Sequence, residues 1–465
     1  MMLNRRDGNY GQMQLWMPFW PQDPYELGPE LGPIAEILDR PEILEPFVER
    51  YRKAAMETGL HLTGRKTIPL RTFAGMVVLK FMYTLSYREV CGEVADRMTW
   101  RVFCRIPFGK KVPDYSTINK LVNRFGPEAI GEMNKALLKH LSDKKKLKGR
   151  KIKIDTTVVE SNIEHPTDAR LLKQGMDKAG RLVKKCREAG LAAAKDFVNH
   201  WRGARQCILE IAKVTRRRAG AAFKEIDRIT AKLTVLAEDT LQQTKRVLRA
   251  ARTSLARGSS RLKAGIVEEL AETCTLLEKA IGQAWQVVSG NRHIQDRLIS
   301  IHDPGARPIR KGKPAKPTEF GRKLLLHSNE QRLITGYQVF EGNPNDESLF
   351  RPAVEQYKAN TGHTPREAAA DRGIASANNE RMAPTLGIKR AALPKRGKKS
   401  KSRAAYEKQY WFRRLQRWRA GQESEISVLK RRFCLDRSLS RGDAGTRTWV
   451  GWGIMAYNLR IAAGL

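Results

Sequence analysis

Three carboxylates that lie far apart in the chain stand in settings where they could hold a metal ion. Asp155 falls within IDTTVVES, Asp371 ends the short apolar AAAD, and Glu423 lies on a basic helix. Hard divalent cations take oxygen ligands, and two of them about 3.5–4 Å apart can stabilise both the attacking and the leaving oxygen of a phosphoryl transfer. Arg419 precedes Glu423 by four residues and Lys430 follows it by seven, so all three project from one helical face. Taken alone, an Arg-x-x-x-Glu spacing reads as a surface ion pair. Glu425 is a competing acid two residues on, but the Arg and Lys spacings select Glu423.

The elements around these acids can be read from periodicity. Ile152 and Ile154 alternate with Lys151 and Lys153, and Val158 and Val159 follow, which predicts a strand carrying Asp155. Further strands are expected at Lys323–His327, Leu333–Phe340, Ala368–Asp371 and Ile388–Leu393. Gly373 is expected to free the backbone after Asp371 to turn, and Asp346, in the turn GNPND, to cap a helix through Tyr357. A long helix from about Ser402 to Phe433 carries Glu423. The expected class is α/β, with strands and helices alternating late in the chain, a layout compatible with a ribonuclease H-like core.

Residues 1–65 form a Pro-rich and then helical N-terminal extension with no usable motif. Residues 66–145 read as helical: Ser86 and Glu89 make a capping box, Val90, Val94 and Met98 repeat behind it, and Ser116 is the expected N-cap of the next helix. Gly126-Pro127 should stop that helix and start another. Short helices with brief turns and exposed Arg and Lys fit a helix-turn-helix-like DNA-binding unit, and an ordinary helical bundle fits equally. Residues 146–170 and 300–465 would form the core. Residues 171–299 form a helical insertion after the first strand, with Ile226, Ile229, Leu233 and Leu236 at alternating spacings of three and four. The triplet Arg216-Arg217-Arg218 reads as a wet helix face.

The 465 residues carry 87 Lys and Arg against 49 Asp and Glu, a formal net charge of +38. Such a surplus repels itself unless a polyanion screens it, and nucleic acid is the natural partner. Charge alone also fits a ribosome-associated or merely soluble basic protein. The six cysteines (Cys91, Cys104, Cys186, Cys207, Cys274 and Cys434) form no CxxC pair and read as buried reduced thiols. With no paired histidines, a structural zinc site is not expected. Arg5 and Arg6 are followed by only the short LWMPFW patch, with no signal-like run. The apolar stretch Phe73–Tyr83 is interrupted by Lys80 and too short to span a bilayer, so no membrane is expected and a cytoplasmic, nucleoid-associated location is.

Together these segments resemble the DDE transposases of bacterial insertion sequences, in the branch with the Tyr-Arg-Glu-Lys signature: Tyr, two residues, Arg, three residues, Glu, six residues, Lys. Arg419, Glu423 and Lys430 keep the last three members, and Gln416 stands at the Tyr position. RAGQESEISVLKRRFCLDRS resembles the stretch around the family's glutamate, and IDTTVVESNIEHPTDARLL that around its first aspartate. KGKPAKPTEFG, VFEGNPNDESL, AAADRG and IKRAALPKRGKK are similar to its central block. TRTWVGWGIMAYNLR is also typical, with Trp449, Trp452 and Leu459 as core residues. LSYREVCGEVADRMTWRVFCRIP and VPDYSTINKL look like its N-terminal domain, so the likeness covers about residues 65–170 and 300–465.

The resemblance implies a ribonuclease H-like catalytic core in which Asp155, Asp371 and Glu423 hold Mg2+, with Mn2+ able to substitute. Arg419 and Lys430 would orient Glu423 or contact phosphate. Metal-activated water would cut double-stranded DNA at the element end, and the freed 3′-OH would attack target DNA, within a homo-oligomer assembled on DNA. Lys395, Arg396, Lys398, Lys399, Lys401 and Arg403 are candidate DNA-backbone contacts or a mobile loop. A nuclease of the same fold and a copy that only binds DNA are the rival readings; a covalent tyrosine or serine recombinase fits less well, since the acid set gives neither nucleophile a role.

Overall fold

The computed structural model describes residues 2–4, 27–58, 66–191, 197–216, 222–256, 261–310 and 317–464. Arg5, Arg6, LWMPFW, Arg217, Arg218 and the KGKPAK run lie outside the described residues. The chain divides into two compact units: residues 1–162 with 322–465, and residues 163–321.

The first unit begins with β1 (Met2–Asn4), α1 (Leu31–Leu38), α2 (Pro41–Thr58), β2 (Lys66–Pro69), α3 (Leu70–Met82), α4 (Tyr87–Asp96), α5 (Met98–Phe103) and α6 (Tyr115–Asp143). The expected capping box is present at the start of α4, with Ser86 accepting from the Glu89 N–H and Glu89 accepting from the Ser86 N–H. The N-cap of α6 is Asp114, not Ser116: the Asp114 carboxylate accepts from the Ser116 N–H, because an Asx side chain two positions earlier reaches the free donors of the first turn. Gly126, at φ +69°, breaks α6 into two segments, and Pro127 restarts the second, as its sequence implies.

β3 (Lys151–Ser161) follows. The second unit then contains α7 (Asp168–Glu188), α8 (Trp201–Arg216), α9 (Ala222–Ala256), α10 (Arg261–Val288), β4 (Arg307–Arg310) and the first residues of β5 (Thr318–Ser328). Its helices share one core, in which Leu233, Leu270 and Leu277 are fully buried. Ile229 and Leu233 face that core and Ile226 and Leu236 pack at its edge, as the spacing in the sequence implies. The Pro-rich segment that ends this unit forms β4, antiparallel to residues 318–321.

The chain returns to the first unit through the rest of β5, β6 (Ile334–Val339), α11 (Phe350–Thr361), β7 (Glu367–Ala370), α12 (Ala377–Met382), β8 (Arg390–Ala392), α13 (Lys401–Lys408), α14 (Tyr410–Arg432), β9 (Arg437–Ser438) and α15 (Gly442–Ala462). The strand order is β5-β3-β7-β8, with β6 antiparallel to β5, and β7 and β8 parallel to their neighbours. The end of β3 pairs with β9. Ile152 and Ile154 bury on one face against Phe350 and Tyr357 of α11, while Ala369 and Ala392 on the other face meet Phe412 and Leu415 of α14. Asp346 does not cap the helix that runs through Tyr357. Asn345 caps a 3-10 turn before α11, and Asp346 turns instead to the buried Lys323, 2.9 Å away. The long C-terminal helix is broken at Gln409, between α13 and α14.

Trp452 on α15 sits among Phe47, Phe73 and Phe125, joining α2, α3 and α6 to the C-terminal helix. Removing such a buried ring costs about 3–5 kcal/mol. Trp449 and Leu459 are buried too, as core residues should be. Cys104, Cys186, Cys207 and Cys274 are buried free thiols, whereas Cys91 and Cys434 are only half-buried. No helix among the described residues is long and apolar enough to cross a membrane.

Candidate active site

β3 and β7 run parallel in a register that ends by pairing Ile154 with Ala370. Asp155 and Asp371 are the next residues on each strand, so the backbone alone sets two carboxylates side by side at one edge of the sheet. Alternation along β3 places Lys153 and Asp155 on the face opposite Ile152 and Ile154. That face is covered by α14, which brings Glu423.

The three acids share one partner. Arg419 lies 3.2 Å from Asp155 Oδ2, 3.9 Å from Asp371 Oδ1 and 2.9 Å from Glu423 Oε1. Asp155 is buried, while the side chains of Asp371 and Glu423 are 51% and 68% exposed, so the cluster opens to solvent on one side. Asp155 and Asp371 are each braced by the following backbone: the Thr156 N–H donates to Asp155 at 2.8 Å and the Arg372 N–H to Asp371 at 2.6 Å. No ion pair among the described residues joins Lys430 to these acids. It lies seven residues beyond Glu423, about 10 Å along the helix axis.

Glu425 points the other way. Its carboxylate accepts from Lys153 Nζ at 2.5 Å and from Ser328 Oγ at 2.8 Å, and both members of the ion pair have side chains only 3% exposed. Burial raises its pKa, opposed by the Lys153 charge. The competing acid therefore helps lock α14 onto β3 and does not face the cluster. Trp418 lies over the Lys153 ammonium at 5.1 Å. Sequence reasoning missed Lys153, although strand alternation held the signal: a helix that covers Asp155 must also cover the residue two positions before it.

Gln416, at the position of the signature Tyr, donates from Nε2 to the carbonyls of Ala370 at 3.3 Å and Ala392 at 2.6 Å, tying α14 to the ends of β7 and β8. Gly373 is not among the glycines with positive φ. What calls for glycine there is space, since a Cβ would sit 2.8 Å from Asp346 Oδ2. Of the basic residues at 395–403, Arg403 is tied to Glu380 and Glu407, and Lys399 to Glu407. Burial opposes ionisation of Glu407, but the bonds from Lys399, the Lys395 N–H and Arg403 outweigh it and hold its pKa at about 2. Lys395, Arg396, Lys398 and Lys401 remain exposed.

Three carboxylates are oxygen donors of the kind that suits a hard divalent cation. As the side chains stand, no group of three or more acidic, His or Cys residues among those described forms a ready metal cage, because the Arg419 guanidinium holds the acids apart on its own nitrogens.

Residues 24–124 match the family model described as a transposase domain (DUF772), and residues 296–459 match that of the transposase DDE domain. Asp371, Arg419, Glu423 and Lys430 fall inside the second match, and Asp155 lies outside both. The uncharacterized protein ORF8 in the nfe locus of Rhizobium meliloti is 30% identical over 127 residues, which is 26% of this chain and 61% of that protein. The chain thus spans less than two thirds of that relative. No solved structure matches it. Coming from the two ends of the chain, the two family matches support a DDE transposase.

Proposed function

We propose that this protein is a DNA transposase that binds the ends of its insertion sequence, cleaves the DNA there and transfers the 3′-OH ends to target DNA by metal-dependent phosphoryl transfer. The observation that carries the reading is the convergence of Asp155, Asp371 and Glu423, separated by 216 and 52 residues in the chain, on the single guanidinium of Arg419. The order β6-β5-β3-β7-β8, with β3, β7 and β8 parallel, supports a ribonuclease H-like core. The Arg419–Glu423 bond supports the Tyr-Arg-Glu-Lys branch, with Gln416 in the place of the tyrosine.

In this reading Asp155, Asp371 and Glu423 would hold Mg2+ or Mn2+. The bound metal supplies a nucleophilic water or hydroxyl and neutralises charge on the phosphate. Arg419 holds the acids in place and offers its remaining charge to a phosphate oxygen, and Lys430 extends the basic face of α14 along the DNA. Lys395, Arg396, Lys398 and Lys401, whose side chains are exposed, are proposed as backbone contacts. Residues 66–145 would be the DNA-binding domain, residues 171–299 an insertion into the core of 146–170 and 300–465, and the working form an oligomer on DNA in the cytoplasm beside the nucleoid.

The test is incubation of the protein and Mg2+ with labelled DNA carrying the element ends, with and without a target plasmid. End cleavage followed by joined products is the expected result. Cleavage without joining would leave a nuclease, and binding without cleavage a DNA-binding protein only.

A further inference from the structure

Five Lys and Arg residues are buried among the described residues: Arg71, Lys80, Lys153, Arg322 and Lys323. Four have a carboxylate at hand, respectively Asp39, Glu425, Asp443 and Asp346 for Arg71, Lys153, Arg322 and Lys323. Lys80, 2% exposed, forms no ion pair with a carboxylate among the described residues. Its ammonium lies 3.9 Å from the ring centre of Phe81 and 4.0 Å from that of Trp449, and desolvation brings its pKa down to about 8. Ring faces recover only part of the hydration that a buried ammonium loses.

Lys80 lines a cleft of about 840 Å³ in the first unit, walled by α3, α4 and α6 on one side and by the segment from Cys434 to Trp449 on the other. The start of α15 opens into the same cleft. Arg441, its N-cap residue, makes no side-chain capping bond, and Asp443 in its first turn is drawn off by Arg322. The first N–H groups of a 21-residue helix therefore have no side-chain acceptor from the cap, and the dipole places partial positive charge there. Asn119 and Asn123, one turn apart on α6, and the guanidinium-bearing Arg437 and Arg441 complete the lining. Two carboxylates also line it: Glu89 is committed to the capping box of α4, and Asp436 is exposed.

A buried cation without a counterion and a helix N-terminus without a cap, facing one cleft, describe a site that lacks its anion. We propose that this cleft binds a phosphate group, with Lys80 and the N-terminus of α15 as its two charged walls and the asparagine amides as donors to the remaining oxygens. The phosphate could come from a DNA backbone or from a free phosphate ester, and the same chemistry would hold either. The site does not use the acids around Arg419, so it stands or falls apart from the metal-dependent reading.

The experiment uses the full chain without divalent metal and compares it with Lys80→Met, which keeps the unbranched stem and removes the charge. Affinity is measured for inorganic phosphate by calorimetry and for a short duplex across a series of salt concentrations. If DNA supplies the phosphate, Lys80→Met flattens the slope of log K against log salt by about 0.9. If a free phosphate does, inorganic phosphate binds the parent protein and is lost by at least about tenfold in the variant, while the duplex slope is unchanged. Unchanged binding of both probes to a folded variant, or phosphate binding that Lys80→Met does not alter, overturns the site or leaves an adventitious ion only. Should Lys80→Met fail to fold, Arg441→Gln on the exposed rim gives the same two readings.

Discussion

Helix α14 carries two charge clusters barely one turn apart, and they are built on opposite terms. At one, Glu425 meets Lys153 and the Ser328 hydroxyl: one negative charge, one positive charge, both buried, every partner within hydrogen-bond reach. At the other, three carboxylates share one guanidinium, and two of them are open to solvent. A balanced buried pair fixes the register of helix on strand. An acidic surplus held at a solvent-facing edge has no structural use for its excess charge and is ready to take up cations. The difference separates two acids two residues apart in sequence into a buried tether and, in the proposed reading, a candidate metal ligand.

The strongest way to break this comparison is to neutralise one acid on each side. Glu423→Gln should lower DNA cleavage by about a thousandfold while binding to the element ends and the melting temperature stay near those of the parent. A loss of the same size from Glu425→Gln, in a protein that melts normally, would reverse the assignment. Lys153→Met should destabilise the fold by about 3–5 kcal/mol, because it strands the Glu425 carboxylate without its cation. The double change Lys153→Met with Glu425→Leu should recover most of that in denaturant unfolding.

A buried histidine sits on the same strand as Ser328. His327 is next to Ser328 on β5, fully buried between Thr335 and Gln356, and burial lowers its pKa to about 4. Its neutral form is the folded form, so the unfolded chain binds the extra proton. Stability should hold above about pH 6.5 and fall by up to about 3 kcal/mol as the pH drops towards 4. His327→Gln should remove that part of the acid sensitivity in a pH series of thermal melts.

The acidic cluster can be sharpened by removing its cation. Arg419→Gln should raise the affinity for Mn2+ in the absence of DNA by about tenfold, since the positive charge shared by the three carboxylates is lost. Equal or weaker Mn2+ binding would mean that the guanidinium assembles the acids more than it competes with metal. The smallest effect is expected from Gln416→Ala, which should cost about 1 kcal/mol through its two lost carbonyl bonds. Its cleavage rate should fall while affinity for DNA is unchanged; a loss of DNA affinity would instead give Gln416 a contact with the substrate.

The strands that bring Asp155 and Asp371 side by side were legible because alternating and all-apolar runs mark strands, whereas the spacing of Arg419 and Glu423 alone reads as a surface ion pair and only the family resemblance marked Glu423 out. The capping box at Ser86 and the break at Gly126 were legible for the same reason: their partners lie within four residues. What was not legible depends on partners hundreds of positions away. Nothing near Asp346 shows that it is drawn off by Lys323, and nothing near Gln416 shows the carbonyls it will meet. Lys80 reads as an interruption of an apolar helix, and only the fold reveals that its companions are rings contributed from both ends of the chain.

The place of β3 has a consequence for how the molecule is made. It is the middle strand of its sheet, yet β5, β7 and β9, its partners, are all synthesised after it, β7 more than 200 residues later. Residues 163–321 leave the ribosome in between and can close their own helical core while β3 still has both edges bare. An apolar strand with unpaired edges is the kind of segment that associates wrongly with a neighbouring chain. The late arrival of β7, α14 and β9 thus sets the moment at which the acids first come together, so a prematurely terminated copy would lack them as a cluster.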